Sequence, residues 1–181
     1  MRSAHRLALW LAALAMATGS SAHRTAVRDG VLLRDGEPFT PFGLYVYGLN
    51  TTQWDFLEEC GYNTVITYTN GCASCCEMQC LEHGVATTRA FLDAAAAHNI
   101  SVILSVKDLY PISDKTNSEW RAIVEAFSNH SALLAWYMND EMGPDESVIS
   151  MLAERNSALQ AADPSHVTLS IVNRWVSTSR Q

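Results

Sequence analysis

The residues with the clearest chemical potential are an amide and two carboxylates that follow an apolar segment. Residues 133–138 read Leu-Leu-Ala-Trp-Tyr-Met, and Asn139, Asp140 and Glu141 come directly after them. An ionised carboxylate is costly to bury without partners, so a strand that leads into these residues should end at a solvent-accessible rim. Parallel sheets and barrels carry their chemistry at this carboxyl end. Glu141 is therefore a candidate proton donor, and Asn139 and Asp140 are candidates for the same site.

A structural role is the alternative for Glu141. Pro144 suits the first turn of a helix that reaches about Ala161. An acidic residue shortly before that helix would complement its dipole. The same alternative applies to Asp140, and the residues alone do not decide between the two roles.

The cysteines form a second candidate cluster. In an exported chain, such a cluster is expected to form disulfides that hold a long loop. A metal site is the alternative, because two of these cysteines have the spacing of metal ligands and His83 follows them; we favour disulfides and predict no metal and no cofactor. The odd number leaves one thiol unpaired or paired with something outside this chain. The disulfide candidates are Cys60, Cys72, Cys75, Cys76 and Cys80.

The first 22 residues are typical of a secretion signal. A basic start with Arg2 and Arg6 precedes an apolar core over residues 7–17, and small residues lead to a cleavage site after Ala22. An uncleaved membrane anchor is the alternative, but the core is far shorter than the roughly 20 residues that span a bilayer. We predict a signal peptide over residues 1–22, a single domain over residues 23–181 and a secreted or extracellular protein.

The net charge of the chain and its glycosylation sequons are consistent with a secreted protein. Removing residues 1–22 takes away two arginines and no acid, so the formal charge changes from −7 to −9. An acidic chain without a basic patch is not expected to bind nucleic acid or, after signal cleavage, a membrane. Three Asn-x-Ser/Thr sequons are candidates for glycosylation, although such short patterns arise easily by chance. Their asparagines are Asn50, Asn99 and Asn129.

Strand-like and helix-like segments alternate along the remainder. Arg34-Asp35-Gly36-Glu37 has the Asp-Gly signature of a hairpin turn. Short connections between alternating strands and helices imply a parallel sheet with right-handed crossovers, either a barrel or an open doubly wound sheet. No glycine-rich phosphate fingerprint follows the first strand, which argues against a nucleotide-binding open sheet. The expected strands are 42–47, 64–68, 100–106, 133–138 and 167–172, and the expected helices are 53–60, 89–98 (capped by Thr88), 119–127 and 144–161.

Three segments resemble a known family in their order and spacing. Residues 35–45 (Asp-Gly-Glu-Pro-Phe-Thr-Pro-Phe-Gly-Leu-Tyr) resemble the entry hairpin and first barrel strand of many secreted glycoside hydrolases. Residues 59–65 (Glu-Cys-Gly-Tyr-Asn-Thr-Val) are similar to their second unit, and residues 136–141 (Trp-Tyr-Met-Asn-Asp-Glu) to their fourth strand. The resemblance covers about residues 28–173. It implies an α/β fold, a partial (β/α)8 TIM barrel of about five strand-helix units preceded by a short β-hairpin.

The resemblance also implies a chemistry. In that retaining superfamily the proton donor follows strand 4 and a nucleophilic glutamate follows strand 7, which assigns Glu141 as general acid/base. The family usually has asparagine directly before this glutamate, whereas Asp140 intervenes here, so the roles of Asn139 and Asp140 stay open. A carbohydrate substrate is implied, with aromatic side chains stacking on sugar rings. For Tyr45, Tyr47 and Trp136 we favour an ordinary core role, and the stacking candidates are Tyr68, Tyr110 and Trp175.

Five strands are expected here, whereas eight close such a barrel, which typically needs about 250 residues. We therefore expect this chain to be the amino-terminal part of a glycoside hydrolase, with strands 6 to 8 and the nucleophile outside it and with no activity by itself. The alternative is a secreted, disulfide-stapled carbohydrate-binding or interaction module that uses the same cleft without turnover. No pattern in the sequence identifies the sugar, the linkage or the oligomeric state.

Overall fold

The computed structural model of the protein describes residues 22–47, 49, 52–68, 78–107, 119–143 and 145–172. For residues 78–83, 119 and 172 the description covers the backbone only. Several predicted features lie outside the described residues: the signal segment up to residue 21, Asn50, Tyr110, Pro144, Trp175 and the cysteines Cys72, Cys75 and Cys76.

The described chain begins with a three-stranded antiparallel sheet. Two tight turns form it, because Asp29-Gly30 and Asp35-Gly36 have positive φ at both residues (52° and 78°, 55° and 87°), as type I′ hairpin turns require. The second turn is the one that the sequence predicts. The first has the same Asp-Gly signature, and it adds an amino-terminal strand that was not predicted. The strands are β1 (Thr25–Arg28), β2 (Val31–Arg34) and β3 (Glu37–Pro38).

Five parallel strands follow and pair in chain order. Every neighbouring pair is parallel, and a helix connects each strand to the next. This arrangement confirms the predicted α/β fold with consecutive strands of a partial (β/α)8 barrel. The strands are β4 (Gly43–Val46), β5 (Thr64–Thr67), β6 (Ser101–Ser105), β7 (Leu133–Met142) and β8 (Val167–Val172). The helices are α1 (Trp54–Glu59), α2 (Met78–Ala97), α3 (Glu119–Phe127) and α4 (Glu146–Ala162).

The parallel sheet is apolar on both faces, as expected for strands that are covered on each side. On the outer face, Val65, Val102 and Trp136 pack against the helices in the larger core. On the inner face, Ile103 and Tyr137 belong to a smaller core that includes side chains from the hairpin. None of the described helices is both long and apolar enough to cross a membrane.

The hairpin is fastened to the amino ends of the parallel strands. The Thr25 hydroxyl donates to the Leu134 carbonyl (3.0 Å) and accepts from the Val167 amide (2.9 Å). Arg34 Nη1 donates to the Ser101 hydroxyl at 2.9 Å. The hairpin therefore lies at the end of the sheet opposite to Glu141 and leaves the carboxyl end of the strands open.

Asn63 and Gly43 belong to two of the segments that resemble glycoside hydrolases, and both have a structural role where β4 meets β5. Asn63 joins the entry segment to β5, because its Oδ1 accepts from the Phe42 amide (2.8 Å) and its Nδ2 donates to the Thr40 carbonyl (3.0 Å). Gly43 lies so close to β5 that a Cβ atom there would be 1.7 Å from the Thr64 carbonyl oxygen. The two motifs therefore fix how the first two parallel strands meet.

Helix α2 begins at Met78, whereas the sequence predicts a start at Arg89 with Thr88 as the cap. Thr88 is instead buried within the helix. Gly84 and Thr88 have poor helix propensity, but both are buried, so packing overrides propensity in this part of the helix.

The prediction that Cys60 takes part in a disulfide is wrong. Cys60 follows the last residue of α1 and is an exposed free thiol. Cys80 lies in α2, within the part described by its backbone only.

Candidate functional site

Strand β7 continues beyond its predicted end and carries the acidic residues on irregular backbone. Its pairing with β8 shifts register between Tyr137 and Asn139 and again between Asn139 and Met142. Such bulges redirect side chains at the rims of barrels. Glu141 adopts φ of +47°, a left-handed conformation that is uncommon outside glycine and asparagine. Its side chain is exposed, as a proton donor at an open rim requires.

The surrounding packing holds this irregular segment. Arg155 reaches from α4, where it is buried, and its Nη1 donates to the Met138 carbonyl at 3.0 Å. Asn139 is only 3% exposed, and its Nδ2 donates to the Ile171 carbonyl of β8 at 3.4 Å. Asn139 therefore bridges β7 and β8, and it contributes to the site by supporting the backbone that carries the two carboxylates.

Helix capping does not explain the two carboxylates. The residue that caps α4 is Asp145, whose Oδ1 accepts from the Val148 amide at 2.9 Å. The helix begins at Glu146, so neither Asp140 nor Glu141 is its cap.

Two tyrosine hydroxyls hydrogen-bond the Asp140 side chain, and a third tyrosine hydroxyl supports one of them. The Tyr137 hydroxyl donates to Asp140 Oδ1 at 2.6 Å, and the Tyr45 hydroxyl donates to the Tyr137 hydroxyl at 3.4 Å. Tyr68, directly after β5, also hydrogen-bonds the Asp140 side chain. The carboxylate is thus fixed between two phenols, while the residue remains partly exposed.

The electrostatics of this cluster keep the phenols protonated. Burial raises the pKa of Tyr137, and its hydrogen bond to Asp140 raises it further. Lys107 acts to lower the pKa of Tyr68, but the charge of Asp140 and the hydrogen bond to it outweigh that effect, so the Tyr68 pKa is also raised. Both phenols therefore act as donors to the carboxylate near neutral pH.

Three tyrosine rings cluster beside Asp140; Tyr45 and Tyr47 are exposed and Tyr68 is partly exposed. Tyr47 and Tyr68 have ring centroids 4.7 Å apart, and Tyr45 lies edge-on to Tyr68 at 6.5 Å. The Lys107 ammonium is 4.1 Å from the Tyr68 ring centroid. We refer to Tyr45, Tyr47 and Tyr68 as the tyrosine surface.

The sequence predictions for the aromatic residues have mixed outcomes. Trp136 is fully buried, which confirms its core role, and its Nε1 donates to Asp163. The core role is wrong for Tyr45 and Tyr47, which are 42% and 72% exposed. Their i, i+2 spacing, which puts both on one face of a strand, was a usable signal for a shared surface. Tyr68, a predicted stacking residue, does lie beside Asp140.

Other polar candidates have structural roles or stand apart from this site. His98 contacts Glu58 at 2.7 Å and His130 contacts Asp93 at 3.0 Å, so both histidines join neighbouring elements of the fold. Asn99 and Asn129, the described sequon asparagines, are exposed. Within the described ranges, no group of three His, Cys, Asp or Glu side chains is placed to hold a metal ion.

The fold is similar to parts of known glycoside hydrolases. No family model and no curated protein sequence matches the chain. The b-glucuronidase from Ruminococcus gnavus in complex with D-glucuronic acid matches with a TM-score of 0.53 and 14% identity, over 78% of this chain and 25% of that chain. Its complex with N1-substituted uronic isofagomine matches with a TM-score of 0.50 and 14% identity, over 84% and 30%.

An exo-chitosanase, CsxA of Amycolatopsis orientalis, aligns with a TM-score of 0.49 and 13% identity, over 84% of this chain and 20% of that chain, which is too distant to support an inference. The chain thus spans about a quarter of the length of the glycosidases that it resembles. At these identities the similarity establishes a glycoside hydrolase fold.

Proposed function

We propose that this chain is the amino-terminal part of a secreted glycoside hydrolase that acts on O-glycosidic bonds, with Glu141 as general acid/base. The observation that carries the proposal is the position of Glu141: an exposed carboxylic acid, on left-handed backbone, at the carboxyl end of the fourth parallel strand. The tyrosine surface beside the neighbouring Asp140 supplies apolar ring area of the kind that binds sugar rings.

The retaining mechanism uses two carboxyl groups, one as general acid/base and one as nucleophile. Glu141 gives its proton to the glycosidic oxygen as the bond from that oxygen to the anomeric carbon breaks. A second carboxylate, about 5–5.5 Å away, bonds to that carbon. Glu141 then takes a proton from the water that releases the sugar. The family resemblance assigns the second carboxylate to a later strand of the barrel than the five described here.

The test is Glu141→Gln in a version of the protein that has the whole barrel. The amide cannot donate the proton, so kcat for an alkyl glycoside should fall by about 10²–10⁴. Aryl glycosides with acidic leaving groups should lose much less, since their departure needs little protonation. Glu146→Gln, an exposed change in the first turn of α4, is the matched control. Unchanged hydrolysis by Glu141→Gln would show that the assignment is wrong.

Secretion and modification are part of the same proposal. Expression in a eukaryotic secretory host should yield protein in the medium with His23 at its amino terminus. Treatment with a glycosidase that removes N-linked glycans should reduce its mass if Asn50, Asn99 or Asn129 is modified. Recovery of the unprocessed chain inside the cell would contradict this part of the proposal.

A carbohydrate-binding module without turnover is the second candidate. The tyrosine surface favours it, because two exposed rings, a partly exposed third ring and a fixed carboxylate can bind a sugar with no second carboxylate present. Saturable sugar binding without hydrolysis by the complete protein would support this candidate over the enzyme.

A further inference from the structure

We propose that cleavage after Ala22 creates a copper(II) site at the amino terminus of the mature chain, built from the α-amine and imidazole of His23 and the carboxylate of Asp35. The site lies on the hairpin, at the end of the sheet opposite to Glu141. It is separate from the proposed glycosidase chemistry and rests on one part of the proposed function, the position of the cleavage.

The contact between His23 and Asp35 brings two kinds of metal ligand together. His23 Nδ1 lies 2.5 Å from Asp35 Oδ2. Neighbouring ligands at about 2.0–2.2 Å from one metal ion are about 3 Å apart, so an ion can replace the shared proton with a small movement of the side chains. The two side chains are 29% and 51% exposed, so an ion in solution has access to both.

The α-amine of His23 supplies the third ligand. In the uncleaved chain this nitrogen belongs to a peptide bond and carries a proton that it would have to lose before it bound a metal. After cleavage it is an amine, and an amine and Nδ1 of the same histidine close a chelate ring on one ion. Nδ1 is also the nitrogen that faces Asp35, so the chelate and the carboxylate meet at one place.

The hairpin holds Asp35 in position for this role. The Arg24 amide donates to Asp35 Oδ1 at 2.8 Å, and the Asp35 amide donates to the Arg24 carbonyl at 2.7 Å. These bonds fix the segment after His23 against the turn that carries Asp35, and they leave Oδ2 for the imidazole. Arg34 adds a positive charge near Asp35, and its guanidinium donates to Ser101. Ligands held by such a turn lose little freedom when an ion binds.

The ligand types favour copper(II) over other divalent ions. Nitrogen and oxygen ligands in a tetragonal arrangement are typical of copper(II) or nickel(II), and copper(II) is the tightest-bound ion in the Irving–Williams order. Only two of the three ligands are side chains, which agrees with the lack of a three-side-chain metal cluster among the described residues. We therefore expect copper(II) to bind the mature chain more tightly than zinc(II).

The experiment compares two forms of the chain that differ at the His23 nitrogen. One begins at His23 and is taken from the medium of a secretory host, or is released from a fusion by a protease that leaves His23 first. The other is the full 181-residue chain, in which this nitrogen is an amide. Each form is checked by circular dichroism and titrated with copper(II) sulfate against glycine as competitor. The form that begins at His23 should bind copper(II) about tenfold more tightly or better, since the chelate needs the free amine.

Asp35→Asn tests the carboxylate. The Asn Oδ1 can still accept from the Arg24 amide, and asparagine suits a type I′ turn, so the turn is kept while the charge that faces His23 is removed. Partners outside the ligand shell already contribute about 10–100-fold to metal affinity, so the loss of a ligand carboxylate should weaken copper(II) binding about tenfold or more. Asp29→Asn, at the same position of the other Asp-Gly turn, is the matched control and should bind like the native chain.

A measurement on the native mature chain needs no substitution. Bound copper(II) broadens the NMR signals of nearby amides, so a small amount of copper(II) should broaden the Gly36 amide signal more than that of Gly30. Gly30 lies at the other end of the β1–β2 pair, where Arg28 is opposite Val31, whereas Gly36 follows the end where Thr25 is opposite Arg34. This measurement tests the position of the ion even if Asp35→Asn does not fold.

Three outcomes would overturn the proposal: equal copper(II) binding by the two forms of the chain, equal binding by Asp35→Asn and the native mature chain, or tighter binding of zinc(II) than of copper(II). The mass of the secreted protein gives the cleavage position separately. An amino terminus other than His23 would contradict the cleavage and with it the natural site. The glycosidase assignment is decided independently, by the hydrolysis assay of Glu141→Gln.

Discussion

At the scale of single residues, Asp163 is the most deeply buried carboxylate among the described residues. Asp163 is 2% exposed and follows α4. Its Oδ2 accepts from Trp136 Nε1 at 2.8 Å and from His166 Nδ1 at 2.7 Å, and its Oδ1 accepts from the Ser165 amide at 2.9 Å. Three donors on one buried carboxylate replace the water that it loses on folding.

Stability should depend on the charge of Asp163. Burial acts to raise its pKa, but the hydrogen bonds from His166 and Trp136 outweigh this and hold the pKa below 3.8. A depressed folded-state pKa adds stability above the unfolded-state value, and this stability is lost as the pH falls through the folded-state value. We expect Asp163→Ala to cost about 2–4 kcal/mol at pH 7, where two buried donors and one part-buried donor lose their acceptor, and less as the pH falls through the folded-state pKa of Asp163.

Urea unfolding of the two proteins at several pH values measures this difference. Asp55→Asn, at a residue 94% exposed and 3.9 Å from His98, is the control and should change little at any pH because exposed ion pairs contribute little. If the free energies of unfolding of wild type and Asp163→Ala differ by the same amount from pH 7 to pH 3, the expectation is contradicted.

The residues of the candidate site were predictable to different degrees. Glu141 was found because an apolar run that ends directly in carboxylates is typical of a strand that reaches an open rim. Tyr137 was missed as the partner of Asp140, since a tyrosine inside an apolar run is typical of core. Only the register shifts of β7 bring its hydroxyl to Asp140, and no local pattern predicts a bulge.

At the scale of elements, the contact between β4 and β5 depends on Gly43. A Cβ atom there would overlap a backbone atom of Thr64, which cannot rotate away as a side chain does. Gly43→Ala should therefore separate the strands at the start of their pairing and destabilise the protein by about 1–3 kcal/mol or more. Gly143→Ala is the matched control, because a Cβ atom at that position would meet nothing within 4 Å. Thermal unfolding of both variants tests this, and equal melting temperatures would refute it.

The elements themselves were predicted best where composition and packing agree. Helix α3 (Glu119–Phe127) and strand β8 (Val167–Val172) have their predicted bounds. Helix α2 was predicted too short because its first residues include Cys80 and Gly84, which have poor helix propensity. Strand β7 was predicted to end at Met138, since three consecutive polar residues follow it and resemble a loop when the pairing partner is unknown.

At the scale of the whole molecule, Thr25 couples the hairpin to the parallel sheet. Its hydroxyl links the carbonyl of Leu134 to the amide of Val167, across residues far apart in sequence. Thr25→Val keeps the shape but removes both bonds, so it should cost about 1–3 kcal/mol. Amide hydrogen exchange should accelerate at Val167 more than at Ile103, inside β6. Thr40→Val, at an exposed position, is the control, and uniform exchange in both variants would contradict the coupling.

The edge of the parallel sheet that β4 forms should promote self-association of the chain. Within the described residues, β4 pairs with β5 alone, so its other edge offers free backbone donors and acceptors to another chain. Large apolar side chains are exposed along this edge and on α1, namely Phe42, Leu44, Tyr45, Tyr47 and Phe56.

A charge placed on this edge should oppose that association. We expect the 181-residue chain to form larger species as its concentration rises, measured by light scattering after size exclusion, and Leu44→Lys to reduce them. Ile149→Lys is the matched control, because Ile149 is equally apolar and exposed but lies on α4, next to β7 and β8 rather than β4. Equal association of both variants would show that exposed apolar area in general, and not the β4 edge, drives it. A monomer at all concentrations would show that this edge is shielded in solution.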